Sequence, residues 1–99
     1  MRVRWLPRAT ADLEAIASYI GADDPAAARR WVGRLRRRVQ AVAAVPFSGR
    51  AVPEFDDPNL REVLVGTYRI VYRVRDGVIR VVTVFESHRL LRISHEDDG

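Results

Sequence analysis

The sequence predicts an α+β domain: a helical hairpin packed on one face of a small, mostly antiparallel β-sheet, in the order β-α-α-β-β-β. Residues 60–84, LREVLVGTYRIVYRVRDGVIRVVTV, read as three strands rich in Val, Ile and Tyr. The last two are joined by Asp76-Gly77, the strongest short hairpin signal, because a type I′ turn needs positive φ at both central residues. Upstream, two stretches repeat apolar residues at helical spacing, and each opens on a proline.

Each element follows from its own residues. Arg2 to Leu6 alternates and reads as a first strand. Pro7 then suits the first turn of a helix on which Ala9, Leu13, Ile16, Ala17 and Ile20 form the apolar stripe. Gly21 is expected to end it as a left-handed C′ residue. Asp24-Pro25 opens the second helix, Asp as N-cap and Pro at N1. Its stripe is Ala28, Trp31, Val32, Leu35, Val39 and Val42, and Pro46 stops it.

Arg29, Arg30, Arg34, Arg36, Arg37 and Arg38 cover the outer surface of that second helix, and no acid lies between Ala26 and Val45. Asp12 or Glu14 on the first helix is expected to receive some of them; the rest read as solvated, their stems lying over the core. Residues 46–59, PFSGRAVPEFDDPN, form a loop that Phe47 and Phe55 are expected to pin.

The two-residue turn fixes the register of the hairpin. Arg75 faces Val78, Val74 faces Ile79, Arg73 faces Arg80, Tyr72 faces Val81, and Val71 is expected to face Val82. Alternation then gives two faces. One carries Tyr68, Ile70, Tyr72, Val74, Ile79, Val81, Thr83 and Phe85 and reads as core. The other carries Arg69, Val71, Arg73, Arg75, Val78, Arg80, Val82 and Val84. Like charges opposite each other destabilise a strand pair, and valines left in water beside them form a contact patch. Such a face suits an anionic ligand or an acidic amphipathic segment. The alternative is a plain solvated face that carries Val for its β-propensity.

Ninety-nine residues make one domain, expected over residues 1–93, with the acidic end 94–99 as a flexible tail. The net charge is +4, and all 17 basic residues are arginine. Arginine keeps its charge and binds phosphate or carboxylate bidentately, so the chain favours anionic partners. The absence of cysteine excludes disulfides and thiol chemistry, and two histidines argue against a dedicated metal site. No cofactor is implied. No stretch approaches a membrane span or a signal peptide, so the cytoplasm is the expected location.

Taken together in order, several short motifs resemble the RelE/ParE superfamily of toxins from type II toxin–antitoxin systems. They are A-x-x-D-L-x-x-I-x-x-Y-I (Ala9, Asp12, Leu13, Ile16, Tyr19, Ile20), P-x-x-G-R (Pro46, Gly49, Arg50), L-R-E (Leu60, Arg61, Glu62) and Y-R-I-V-Y-R-V (Tyr68 to Val74). The resemblance covers nearly the whole chain and implies a cognate antitoxin, hence a hetero-oligomer.

RelE-like members are ribosome-dependent mRNA endonucleases. Arg69 and Arg61 match two of their basic positions, and His88 or Arg89 would have to stand in for a C-terminal catalytic group. A second lysine position falls on Val63, and no tyrosine follows Tyr72. ParE-like members lack those residues and are associated with inhibition of DNA gyrase. The P-x-x-G-R loop and the end His88, Arg89, Leu90, Leu91 are similar to that branch. The resemblance thus implies a ParE-like inhibitor of gyrase that does not cut RNA, with a RelE-like nuclease as the alternative. Arg61, Arg69, Val71, Arg73, Arg80, Val82 and Val84 are the expected contacts to target or antitoxin.

Overall fold

In the computed structural model, which describes residues 1–87, the elements run β1 (Arg2–Trp5), α1 (Pro7–Gly21), α2 (Pro25–Ala44), β2 (Arg50–Ala51), β3 (Leu60–Val65), β4 (Tyr68–Arg75) and β5 (Val78–Glu86). The predicted order is found, with the two-residue β2 added inside the expected loop. The strands form one sheet in the order β1-β5-β4-β3-β2. β1 runs parallel to β5 and every other neighbouring pair is antiparallel.

Both helices lie on one face. Ala9 and Leu13 of α1 and Leu35, Val39 and Val42 of α2 pack against Ile70, Val74, Ile79 and Val81 of the sheet. Asp24 caps α2, its carboxylate accepting the Ala27 N–H at 3.1 Å. Gly21 is not the left-handed cap that its position suggested. It belongs to α1, and Ala22 follows in right-handed helical conformation. The N–H groups of Asp23 and Asp24 both donate to the Ile20 carbonyl, so the chain passes into the Asp24 cap without a left-handed residue.

The Asp76-Gly77 turn adopts φ of 53° and 72°, as type I′ requires. It sets the register as far as Tyr72↔Val81. Beyond that the register slips by one residue, and Val71 pairs with Thr83 rather than Val82. This is a β-bulge. Asp12 holds it: its carboxylate accepts the Val84 N–H at 3.0 Å and the Thr83 hydroxyl. Asp12 therefore serves the strand and does not receive an arginine from α2.

The slip changes the parity of the strand end. Val84 joins the helix-side core beside Ile70, and Phe85 moves to the opposite face beside Arg69. Both outcomes reverse the assignment that simple alternation predicted. His88, Arg89 and the expected tail at 94–99 lie outside the described residues.

A candidate target-binding surface on the sheet

The second face of the sheet divides into a covered half and an open half. The loop 46–59 and Leu6 cover the first. Leu6, Val52, Leu60, Val71 and Val82 form a small second core there, with Phe85 against it. Val71, Val82 and Val84 were expected as exposed contacts, but they are 0%, 0% and 2% exposed. The expectation failed because the loop contributes Val52 as a lid and the bulge turns Val84 inward. Phe47 and Phe55 do not pin the loop; they are 52% and 38% exposed.

What holds the loop is a set of polar contacts to β3 and β4. Glu62 is buried, and its carboxylate accepts Arg50 Nε at 2.8 Å and Arg69 Nε from the other side. Arg69 is buried too, and its remaining nitrogens chelate Glu54 at 2.8 and 2.9 Å. The Glu54 hydrogen bonds raise the Arg69 pKa, burial works against them, and Glu62 adds to the rise. Arg73 pairs with Asp57 at 3.3 Å. Arg61 donates to the carbonyls of Pro58 and Gly49 and lies over the Phe47 ring.

Tyr72 completes the latch. Its hydroxyl donates to the Pro46 carbonyl at 2.7 Å and accepts the Gly49 N–H at 3.1 Å. Burial raises its pKa against smaller opposing effects of the Gly49 bond, Arg61 and Arg38. At Gly49 the chain runs too close to β3 for a side chain: a Cβ there would meet Tyr72 Oη and stand 2.7 Å from the Glu62 carbonyl oxygen. The P-x-x-G-R and L-R-E motifs and the Tyr-Arg of β4 are therefore parts of one structural clasp. Asp12 of the first motif serves the bulge in the same way.

Of the seven expected contact residues, Arg61 and Arg80 are half-buried and the other five are buried. The open half of the face lies at the Asp76-Gly77 end. There the registers place Arg4 beside Arg80 and Arg80 beside Arg73, a row across β1, β5 and β4. Arg2 and Arg75 flank Val78 in the next row, two residues along each strand and so on the same side. Arg2 and Arg4 were not foreseen as site residues. Their signal is the alternation R-V-R-W, which puts both on one face of the strand. Among the grooves on the helical side are two with both polar and apolar walls. One of about 400 Å³ lies between α1 and β5, lined by Asp12, Ile16, Tyr19, Tyr68, Phe85 and Glu86. The other, of about 470 Å³, lies between the helices, beside Leu13, Val32, Glu14 and Arg36.

Comparison with known proteins decides the family. The profile of the ParE toxin of type II toxin–antitoxin systems, parDE, matches residues 3–91. The chain belongs to the ParE toxin family. Toxin RelE2 of Caulobacter vibrioides is 40% identical over 90 residues, covering 90% of this chain and 98% of that protein. A relative from Sinorhizobium fredii, Y4kP, is 38% identical, covering 89% and 90%. The fold matches the chromosomal ParDE toxin–antitoxin system from P. aeruginosa with a TM-score of 0.72 at 24% identity, covering 87% of this chain and 95% of that one. This ParE-family chain is thus the toxin of a type II toxin–antitoxin system, and its family implies an antitoxin partner. Among the described residues no helix is long and apolar enough to cross a membrane.

Proposed function

We propose that this ParE-family toxin inhibits growth as a binding protein that blocks DNA gyrase in the cytoplasm, without cutting RNA, until its antitoxin covers it. The observation that supports this is the enclosure of Arg69 between Glu54 and Glu62. Cleavage of RNA by its own 2′-hydroxyl needs cations on the phosphate and groups that move protons. A guanidinium closed by two carboxylates is not offered to a phosphate. Tyr72 uses its hydroxyl within the clasp, and Val63, at the second basic position of the nucleases, is buried in the core.

The test sets two assays side by side on the purified chain. Loss of gyrase supercoiling, restored by stoichiometric antitoxin, is the expected result. Primer extension on a translated mRNA should show no new ends. Codon-phased cleavage that vanishes in His88→Ala overturns the proposal and makes the protein a RelE-like ribosome-dependent endoribonuclease.

A further inference from the structure

We infer that the open half of the sheet, with Arg4 and Arg80 at its centre, Arg2 and Arg75 beside them and the buried, Asp57-paired Arg73 at its border with the covered half, is a docking surface for the phosphate backbone of duplex DNA. The choice of duplex DNA over other polyanions rests on the gyrase reading, since gyrase holds a duplex. The surface itself rests on the registers and on charge.

Neighbouring strands stand about 4.8 Å apart, so the row places three guanidinium stems within about 10 Å on one rigid face. Like charges directly opposite each other work against the fold. Asp57 offsets Arg73 alone. Among the described residues Arg2, Arg4, Arg75 and Arg80 make no ion pair; Arg80 donates to the Arg75 carbonyl at 3.0 Å, which leaves its charge uncompensated. Asp76 at the turn pairs with none of them. The covered half of the same face shows the contrast, because there Arg50 and Arg69 each have a carboxylate, as does Arg73 at its border. An anion brought from outside removes the repulsion that the chain itself leaves standing.

The surroundings separate a nucleic-acid backbone from a peptide. An amphipathic acidic segment needs apolar pockets beside its charges. Val78 is the apolar side chain between these arginines, and it is half-buried. Tyr19, Val45, Phe47, Phe55 and Leu64, the large exposed apolar residues beyond Met1, lie on other elements. Among the described residues no aromatic ring stands among the arginines on which an unpaired base would stack, which favours a duplex over a single strand. The α2 arginines are also cationic, and Arg34, Arg37 and Arg38 line a groove against β3, but Arg34 already lies over Trp31 and Leu64 and Val65 put apolar side chains beside them.

The experiment is fluorescence anisotropy of a labelled 20-base-pair duplex against the purified chain at 50 to 200 mM salt. Each neutralised phosphate contributes a slope of about −0.9 in log K against log salt, so four free arginines predict about a 150-fold loss of affinity over that range. Arg4→Ala with Arg80→Ala should reduce the loss to about 12-fold. Arg4→Lys with Arg80→Lys should restore it, since a lysine also neutralises a phosphate. Arg4 is exposed and Arg80 half-buried, and circular dichroism checks that the variants fold. The inference is overturned if no binding occurs at 50 mM salt, if the double alanine variant keeps the full slope, if only Arg30, Arg34 and Arg37 changes reduce it, or if single-stranded RNA of equal length binds more tightly. Gyrase left active by a chain that binds duplex with the expected slope removes the gyrase reading and keeps the docking surface. Supercoiling blocked by a chain that binds no duplex does the reverse.

Discussion

Arg69→Ala separates a residue that holds the fold from one that touches a target. The substitution strips one cation from Glu62, whose side chain is 0% exposed. It leaves Arg50 at 2.8 Å, but Arg50 is 61% exposed and is shared with water. Glu54, at 21% exposure, turns to solvent. Deleting one partner of a buried pair costs about 3–5 kcal/mol. The surviving Arg50 contact keeps the loss near the lower end, and the lost stacking of Arg69 on Phe85 adds about 0.5–1 kcal/mol. A loss of about 3 kcal/mol is a large share of the roughly 5–15 kcal/mol that holds a domain together. At about 4–8 °C for each kcal/mol in a chain of this size, the melting temperature falls by about 12–24 °C. Urea unfolding followed by circular dichroism measures the loss, and a growth assay measures toxicity in parallel. Replacing Arg69 by Met and Glu62 by Gln together removes the stranded charge and should recover about half of the loss. The reasoning fails if Arg69→Ala stays within about 0.5 kcal/mol of the parent, as surface changes do, while growth inhibition disappears. Arg69 would then be a contact to the target.

The other predictions concern the same clasp and the bulge. Gly49→Ala forces a Cβ against Tyr72 and the Glu62 carbonyl, so it should cost about 1–3 kcal/mol and expose residues 46–59 to limited proteolysis. Tyr72→Phe leaves the buried Gly49 N–H without an acceptor and should cost about 1–3 kcal/mol at neutral pH, read by urea unfolding. Burial raises the Tyr72 pKa above its ordinary 10.0, so the unfolded chain loses this proton first as pH rises. Stability should therefore be full below pH 10 and fall above it, with a shallower fall in Tyr72→Phe; an equal fall in both would remove Tyr72 as the cause. Asp12→Ala deprives the Val84 N–H of its acceptor, and amide exchange should quicken at Val84 and Thr83 while α2 stays protected.

Much of the fold was legible because its signals are local. The Asp24-Pro25 cap, the two apolar stripes and the Asp76-Gly77 turn each act within a few residues, and each element stands where they place it. The turn fixed four pairs, from Arg75↔Val78 to Tyr72↔Val81. What lay beyond depended on Asp12, a residue 72 positions away from the amide it receives. No alternation pattern in β5 announces that bulge, so Val84 and Phe85 were placed on the wrong faces. The expected exposure failed in the same way at Arg69, Val71 and Val82, which are buried under the loop. The signal was present in Glu54, Asp57 and Glu62, acids interspersed through a stretch that faces the β4 arginines, but only the pairing of β2 with β3 and of β3 with β4 brings them together. Arg73 and Arg80 were correctly set opposite each other. Their continuation into Arg4 needed the parallel pairing of β1, which residues 1–6 alone do not reveal.

The strand that joins β1 to the rest of this sheet is, among the described residues, the last one the ribosome makes. β1 and both helices emerge while β5 is still unwritten, and β1 has no strand to join until residues 78–81 arrive. The Asp12 carboxylate waits for an amide at position 84, and the arginine row is three unrelated side chains until β5 slides between its neighbours. Contacts this distant in sequence close late in folding. A chain stopped before β5 keeps the pairing partners of β2, β3 and β4, but it has nothing to hold β1 in the sheet and no row of Arg4, Arg80 and Arg73.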